Sequence, residues 1–421
     1  MARIEALADL LDHPERTYPT VQIAGTNGKT TTARMVGAIL AAHGLTTGVY
    51  TSPHLQSIRE RFSIGGDDEG EVRIDLIDPD ELAALVEYLL PYVDLVQGRL
   101  GEDVTYFELT TAMAFEWFAN RSVAAGVYEA GLGGAWDATN IVPGDVSVLT
   151  RIAVDHIAFL GATPLENARE KVGIVKPGAR CISAAQDPDV ARLVEETAER
   201  QGALLAVEGR DFRLVRDDAG LGGRVITVEG PQGGRYEDLF VPLFGSHMAL
   251  NATLAIAAAE ELLGRALDYD ATAAGLRAVS SPGRLEIVGR EPLVVIDGAH
   301  NPQAAQALGP ALVQSFGGAP KSFVLSIFAD KDIDGILTAL RPFAARVVFW
   351  QASSPRAAPA AALREAAERA GFDPATMATA SSLEEAVGAA RSAAGPDGMV
   401  VVTGSLHGVG EARDLLVGPV D

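Results

Sequence analysis

The chain is poor in lysine. Only Lys29, Lys171, Lys176, Lys321 and Lys331 occur among 421 residues, and arginine supplies the rest of the side-chain positive charge. Where arginine serves as the general-purpose cation, each lysine is a candidate for work that needs a primary amine. Positive charge is scarce overall: 34 Lys and Arg face 56 Asp and Glu, a formal net charge of -22. A nucleic-acid binder needs a basic field to neutralise phosphates, so this balance argues against nucleic acid as a partner. Nothing in it favours a membrane surface. An anionic substrate must be held by a few local cations or a metal. The lone cysteine, Cys181, excludes an internal disulfide and fits a reducing compartment. The longest uncharged stretch, about 35–58, contains Gly44, Gly48, Pro53 and two histidines, so it is no membrane span. The opening MARIEALADLLDHPER carries Glu5, Asp9 and Asp12 where a secretory signal needs an apolar core. A cytoplasmic protein is expected. Repeats and low-complexity tracts are missing as well.

What is present is an ordinary globular composition, 48% apolar and 21% charged. The length suggests two or three domains. Short apolar runs at 21–24, 126–130, 146–150 and 180–184 alternate with helical stretches such as DELAALVEYLL and LTTAMAFEWFA. That alternation predicts an α/β fold with a mainly parallel sheet covered on both faces. Residues 205–240 read as a β-rich excursion. The segment 278–283, AVSSPG, reads as a linker. Beyond it the alternation resumes in LVVID, SFVLSIF, RVVFW and MVVVT, with helices expected from Pro302, near Ile333 and from Ala358. Two domains are therefore expected, at 1–283 and 284–421.

The first strand runs into IAGTNGKTTT, residues 23–32, followed by a helix with Met35, Val36, Ile39 and Leu40 at helical spacing. Strand, glycine loop and helix are the setting of a phosphate loop. Gly25 and Gly28 let backbone amides turn toward an anion, and the helix adds its positive end. Lys29 reaches β/γ phosphates, and Thr30 or Thr31 offers a hydroxyl. The common pattern has glycine where Ile23 stands, so this is a different variant of the loop. Gly131-Leu132-Gly133-Gly134 is not a dinucleotide fingerprint, because Trp136 occupies the last glycine position.

GTNGKT resembles the phosphate loop of the Mur ligase superfamily, whose members join an amino acid to a carboxylate using ATP. Further blocks resemble the folylpolyglutamate synthase/dihydrofolate synthase branch. They are Thr51-Ser52-Pro53-His54-Leu55 with Glu60-Arg61, Tyr106-Phe107-Glu108, and Glu129 to Gly134 with Asp137 to Asn140. Asp155-His156, Glu170 to Ile174, Pro282 to Glu286, Asp297 to Pro302, Asp330-Lys331-Asp332 and Thr403 to Leu406 follow in order. One departure stands at Thr30, where many folate-branch members read GKGS and cell-wall members read GKTT.

The resemblance implies an N-terminal P-loop ATPase domain of the Mur ligase type and a smaller C-terminal Rossmann-like glutamate-ligase domain. It implies ATP and Mg²⁺, with two ions. Ser52, Glu129 and His156 would hold one. Lys171, carbamylated by CO₂, would help hold the second. Taken singly, Ser52 reads equally as a turn residue, Glu129 as a loop cap, His156 as a buried partner and Lys171 as half of an ion pair with Glu170 or Glu166. Gly25, Thr26, Asn27, Gly28, Lys29, Thr30 and Thr31 would cradle phosphates. Asn251, in an H-x-x-x-N pattern with His247, would meet the nucleotide, although Met248 stands where the branch often has Gln. Arg284 would reach the γ-phosphate, and Asp297 and His300 would face ATP or the incoming glutamate. Asp137 is tied to activity. Ser405 is a candidate for glutamate carboxylates, and Arg61, Tyr106 and Phe107 for the folate. Lys29, Lys171, Arg284, His300 and Asp137 form the expected catalytic set, acting on ATP, L-glutamate and a folate or dihydropteroate in a monomer. Two alternatives stand beside this reading: a cell-wall ligase of the same mechanism, and a nucleotide-binding homologue without catalysis.

Overall fold

In a computed structural model, which describes residues 1–69 and 71–420, three sheets organise the chain. The largest has eight strands, ordered Glu71–Leu76, Phe62–Asp68, Thr47–Tyr50, Ala125–Glu129, Thr20–Ala24, Val146–Leu149, Arg180–Ser183 and Leu204–Val207. The last six are parallel, and the first two form an antiparallel edge. The parallel strands are buried along most of their length, which is why they read as apolar runs without alternation. The helix Lys29–Ala42 packs on one face together with Ser246–Leu263 and the small antiparallel sheet at 213–241. The helices Pro79–Leu100 and Tyr106–Asn120 cover the other face.

The third sheet has six strands, ordered Glu286–Arg290, Leu293–Ile296, Met399–Thr403, Lys321–Leu325, Arg346–Phe349 and Met377–Thr379. Only its first strand is antiparallel. Helices cover both faces here too. One of them begins at Ala360 rather than Ala358, because Pro359 forces the residue before it out of the helical region.

The two large sheets position the site in the same way. In open α/β sheets, ligands bind beyond the carboxyl ends of parallel strands, where strand order reverses. The strand Thr20–Ala24 lies between neighbours that follow it on opposite sides, so it marks such a reversal. Residues 25–28, 51–54, 130–134 and 150–156 leave the carboxyl ends of four adjacent strands. From the other sheet come 297–300, 326–331, 350–356 and 404–405. Among the described residues, no helix is long and apolar enough to cross a membrane.

Candidate active site

These loops enclose a cavity of about 1000 Å³ with walls from both sheets. Gly28 caps the helix Lys29–Ala42 in a left-handed conformation with φ of 87°. A Cβ there would meet Asn251 Oδ1 at 2.4 Å, so any side chain would be strained and would displace the amide behind the loop. Thr26 is stitched to the 151–153 segment through its hydroxyl, at 2.9 Å from both the carbonyl oxygen and the amide of Ala153. Lys29 folds back to donate to the carbonyls of Gly25 and Thr26 at 3.2 and 3.1 Å, within the loop a triphosphate would fill. Thr31 points elsewhere, sharing a hydrogen bond of 3.1 Å with Ser281.

Beside the loop, strand pairing sets Glu129 opposite Ile23. Its carboxylate accepts from Thr30 Oγ1 and from the Ser52 amide, each at 3.0 Å. Glu129 is 2% exposed, and burial raises its pKa against the pull of Lys29. Ser52 Oγ is buried with no hydrogen-bond partner. A buried hydroxyl left unpaired is costly, and a ligand that satisfies it recovers that cost. Burial, with Lys331 and Lys29 near, pushes His156 down to about 4 despite Asp155. The imidazole is neutral at pH 7 and keeps a lone pair for a metal. Among the described residues no three His, Cys, Asp or Glu side chains converge on one point. The buried Ser52 hydroxyl and Glu129 carboxylate offer oxygen donors beside the loop, the kind Mg²⁺ takes while completing its shell with phosphates and water. The donors present therefore fit the ion.

Lys171 is 5% exposed and has no ion-pair partner among the described residues, so neither Glu170 nor Glu166 neutralises it. Glu166 instead caps its own helix through Thr163. Burial, reinforced by Lys29, pushes Lys171 down to about 7. A substantial neutral-amine fraction at pH 7 is what addition of CO₂ requires. The loop 131–134 is pressed against it: a Cβ at Gly134 would lie 2.6 Å from the Glu170 carbonyl and 2.9 Å from that of Lys171.

Asp137 does not line the cavity. Its carboxylate accepts from the amides of Leu132 and Thr139 and from Thr139 Oγ1, so it fixes the 131–134 loop from behind. Asp297 works similarly in the other domain, accepting from Leu285 and Ala299 amides at 2.9 Å each. Leu285 has φ of 48°, a conformation that costs a non-glycine residue roughly 1–2 kcal/mol. Asp297 thereby holds the bend that carries Arg284 into the cavity wall. Ser405 is spent on capping the helix Leu406–Leu416, accepting from Gly408 N. His300 Nδ1 bonds the Gly298 carbonyl at 2.8 Å, and its other nitrogen lies 3.5 Å from Asp155.

Of the folate candidates, none lines this cavity directly. Phe107 packs against Gly131 and Tyr50. Tyr106 is 54% exposed, with the Arg61 guanidinium 5.3 Å from its ring centre. Arg61 also donates to His54 Nδ1 at 3.0 Å, and His54 does face the cavity. Asn251 and His247 line it as well.

A polar chain joins the domains through residues that no sequence spacing connects. Asn27 in the phosphate loop donates to Gln303 at 2.6 Å and to Asn301 at 3.3 Å. Asn301 donates to Asn27 at 3.0 Å and to Asp155 at 3.3 Å. Asp155 also receives Lys331 Nζ at 2.5 Å. Burial opposes the charge of Asp155, yet His300, Lys331 and His156 hold its carboxyl well below the usual range. The charged turn 330–332 is thus fully employed, since Asp330 pairs with Arg356 and Asp332 caps the helix Ile333–Leu340.

Comparison with known proteins agrees with this geometry. Residues 283–406 match the Mur ligase, glutamate ligase domain. The dihydrofolate synthase/folylpolyglutamate synthase of Mycobacterium tuberculosis is 41% identical over 99% of this chain and 89% of its own length. The folylpolyglutamate synthase of Lacticaseibacillus casei is 33% identical over 99% of this chain and 94% of its own. A Mycobacterium tuberculosis folylpolyglutamate synthase complexed with ADP superposes with a TM-score of 0.92 at 40% identity, covering 99% of this chain and 94% of that one. With strand-end loops from two α/β sheets closing on a phosphate loop, and with this likeness along its whole length, the chain belongs to the folylpolyglutamate synthase/dihydrofolate synthase family of ATP-dependent ligases in the Mur ligase superfamily.

Proposed function

We propose that this chain joins the amine of L-glutamate to a carboxylate of dihydropteroate or of a folate, while ATP becomes ADP and phosphate. A carboxylate oxygen of the acceptor attacks the γ-phosphorus of ATP and ADP leaves. The glutamate amine attacks the acyl phosphate, and phosphate departs with the acceptor's oxygen. The observation that carries this reading is the meeting of Lys29, the unpartnered Ser52 Oγ, Glu129 and the unpaired Lys171 in one cavity shared with Arg284.

Lys29 leaves the loop carbonyls for the phosphates, and Arg284 matches the charge that spreads over the transferred group. Ser52, Glu129 and His156 would hold one Mg²⁺ and the carbamate of Lys171 would help hold a second, supplying positive charge against the triphosphate. Asn251 and His247 meet the nucleotide. Asp137 and Asp297 act on the reaction through the loops they brace. Arg61 acts through His54, beside the folate end bounded by Tyr106 and Phe107. Ser405 and His300 shape the glutamate end. The 1–283 and 284–421 units shield the acyl phosphate from water between them. A monomer working in the cytoplasm completes this reading.

Parallel reactions with Mg-ATP and L-glutamate, followed by mass spectrometry, test this. One receives dihydropteroate, one a reduced folate and one a UDP-muramoyl acceptor. A gain of one glutamyl unit on the first, the second or both assigns the synthase activity. Product with the muramoyl acceptor alone would overturn the folate reading.

A further inference from the structure

The motif residues nearest the expected glutamate end are mostly occupied. Asp297 binds backbone, Ser405 caps a helix, and Lys331 is paired with Asp155. An amino-acid substrate with two carboxylates still needs a cation there. One stands on the wall in a loop with no motif. Arg356 lies over the ring of Phe328, its guanidinium carbon 4.5 Å from the ring centre. Asp330 grips the side edge of the guanidinium, accepting from Nε at 3.2 Å and from Nη2 at 2.6 Å. Arg356 in turn holds Asp330 below the usual carboxylate range. The backbone is fixed as well, because the Arg356 carbonyl accepts from Ala329 N at 2.8 Å.

A guanidinium has two edges that can take a carboxylate, one through Nε and Nη2 and one through the two terminal nitrogens. Asp330 fills the first. The second has no protein acceptor on Nη1 among the described residues, and Arg356 faces the same cavity as the phosphate loop. Stacking and the side grip fix the plane, so little freedom is lost when a ligand binds.

Resting on the ligase reading above, we propose that Arg356 is a recognition residue for a carboxylate of a glutamyl group, bound through its outer edge. The group is that of incoming L-glutamate, or the terminal glutamyl unit of an acceptor that already carries one.

Steady-state kinetics of the full chain separate these sources. Wild type, Arg356→Gln and Arg356→Lys are assayed with dihydropteroate, which has no glutamyl group, and with a monoglutamyl reduced folate. For incoming glutamate, Arg356→Gln raises the L-glutamate KM about 10–100-fold with both acceptors, the loss expected for a charge-assisted pair, while ATP KM stays put. Arg356→Lys recovers only part, because lysine lacks the fork. A rise confined to the KM of the monoglutamyl acceptor assigns the carboxylate to the acceptor's tail. Unchanged KM values in both arms, with active wild type, overturn the proposal and leave the ligase reading standing. Wild type that glutamylates neither acceptor sinks the ligase reading first. L-glutamate is then titrated calorimetrically into protein holding Mg²⁺ and a non-hydrolysable ATP analogue. Heat lost in Arg356→Gln sustains the carboxylate site, and heat kept in the variant, or no heat in wild type either with L-glutamate or with a monoglutamyl reduced folate titrated in its place, overturns it.

Discussion

The two walls of the cavity use their conspicuous residues differently. On the phosphate-loop side, Ser52 Oγ is buried without a hydrogen-bond partner and Lys171 is buried without an ion-pair partner among the described residues, although Asp155 and Asp137 act on it from further off. Both are costly as they stand, which marks them as held ready for a ligand. On the opposite wall, Asp297 and Ser405 have their hydrogen bonds filled by backbone amides. They look equally chemical in sequence, yet they shape loops. An unsatisfied buried group such as Ser52 Oγ thus points to a ligand, whereas Asp297 and Ser405 serve as scaffold.

The largest effect that sharpens this contrast is at Lys171. Lys171→Ala should lower kcat about 10³-fold, the scale of losing one preorganised charge near a reacting group. Lys171→Arg should do no better, since arginine cannot take up CO₂. In ¹³C-bicarbonate, wild type should show a carbamate carbon by NMR that Lys171→Arg lacks, and identical spectra would contradict the assignment. Next comes the join between the walls. Lys331 and Asp155 are 8% and 9% exposed, so Lys331→Ala strands a buried carboxylate. A loss of about 3 kcal/mol is expected in denaturant unfolding. A loss under about 1 kcal/mol, the range of an exposed pair, would show that the domains do not depend on it.

Smaller effects follow. Glu129→Gln should raise the Mg²⁺ requirement about 10–100-fold, read by titrating activity against free Mg²⁺. An unchanged requirement would move the ion elsewhere. The smallest effect falls on Glu108, a motif residue that is scaffold on the phosphate-loop side. It completes a capping box with Thr105 and receives Arg3 at 2.8 Å. Burial opposes its charge, but Arg3 and Thr105 win and lower its pKa. A depressed carboxyl contributes stability above its unfolded value and loses it as pH falls through the folded one. Glu108→Gln should therefore cost about 1 kcal/mol at pH 7, and the gap should narrow as pH falls below the ordinary glutamate value of about 4.3. A kinetic defect at full stability would give Glu108 a direct role.

Much of the fold was legible because parallel strands buried on both faces leave uninterrupted apolar runs, as in MVVVT and VSVLT. The edge pair Phe62–Asp68 and Glu71–Leu76 was not, since its second strand is mostly exposed and alternates charged with apolar residues, leaving no apolar run. The phosphate loop was legible through local order alone, strand then Gly25 and Gly28 then helix. Ser52, Glu129 and His156 could be grouped only by resemblance, because they sit at or beyond the ends of three different strands and share only the walls of one cavity. Arg356 left no signal, and neither did the pairing of Asn27, Asn301 and Asp155, although each of the three lies in a recognisable block. Their partners, Phe328, Asp330, Gln303 and Lys331, are fixed by sheet geometry and domain contact.

In the proposed reaction the acceptor's carboxylate is activated as an acyl phosphate before the glutamate amine attacks it. Labelling that carboxylate with ¹⁸O and analysing the phosphate released during turnover tests it most directly. One ¹⁸O atom should appear in each phosphate formed. Unlabelled phosphate, with glutamylated product made, would contradict the account.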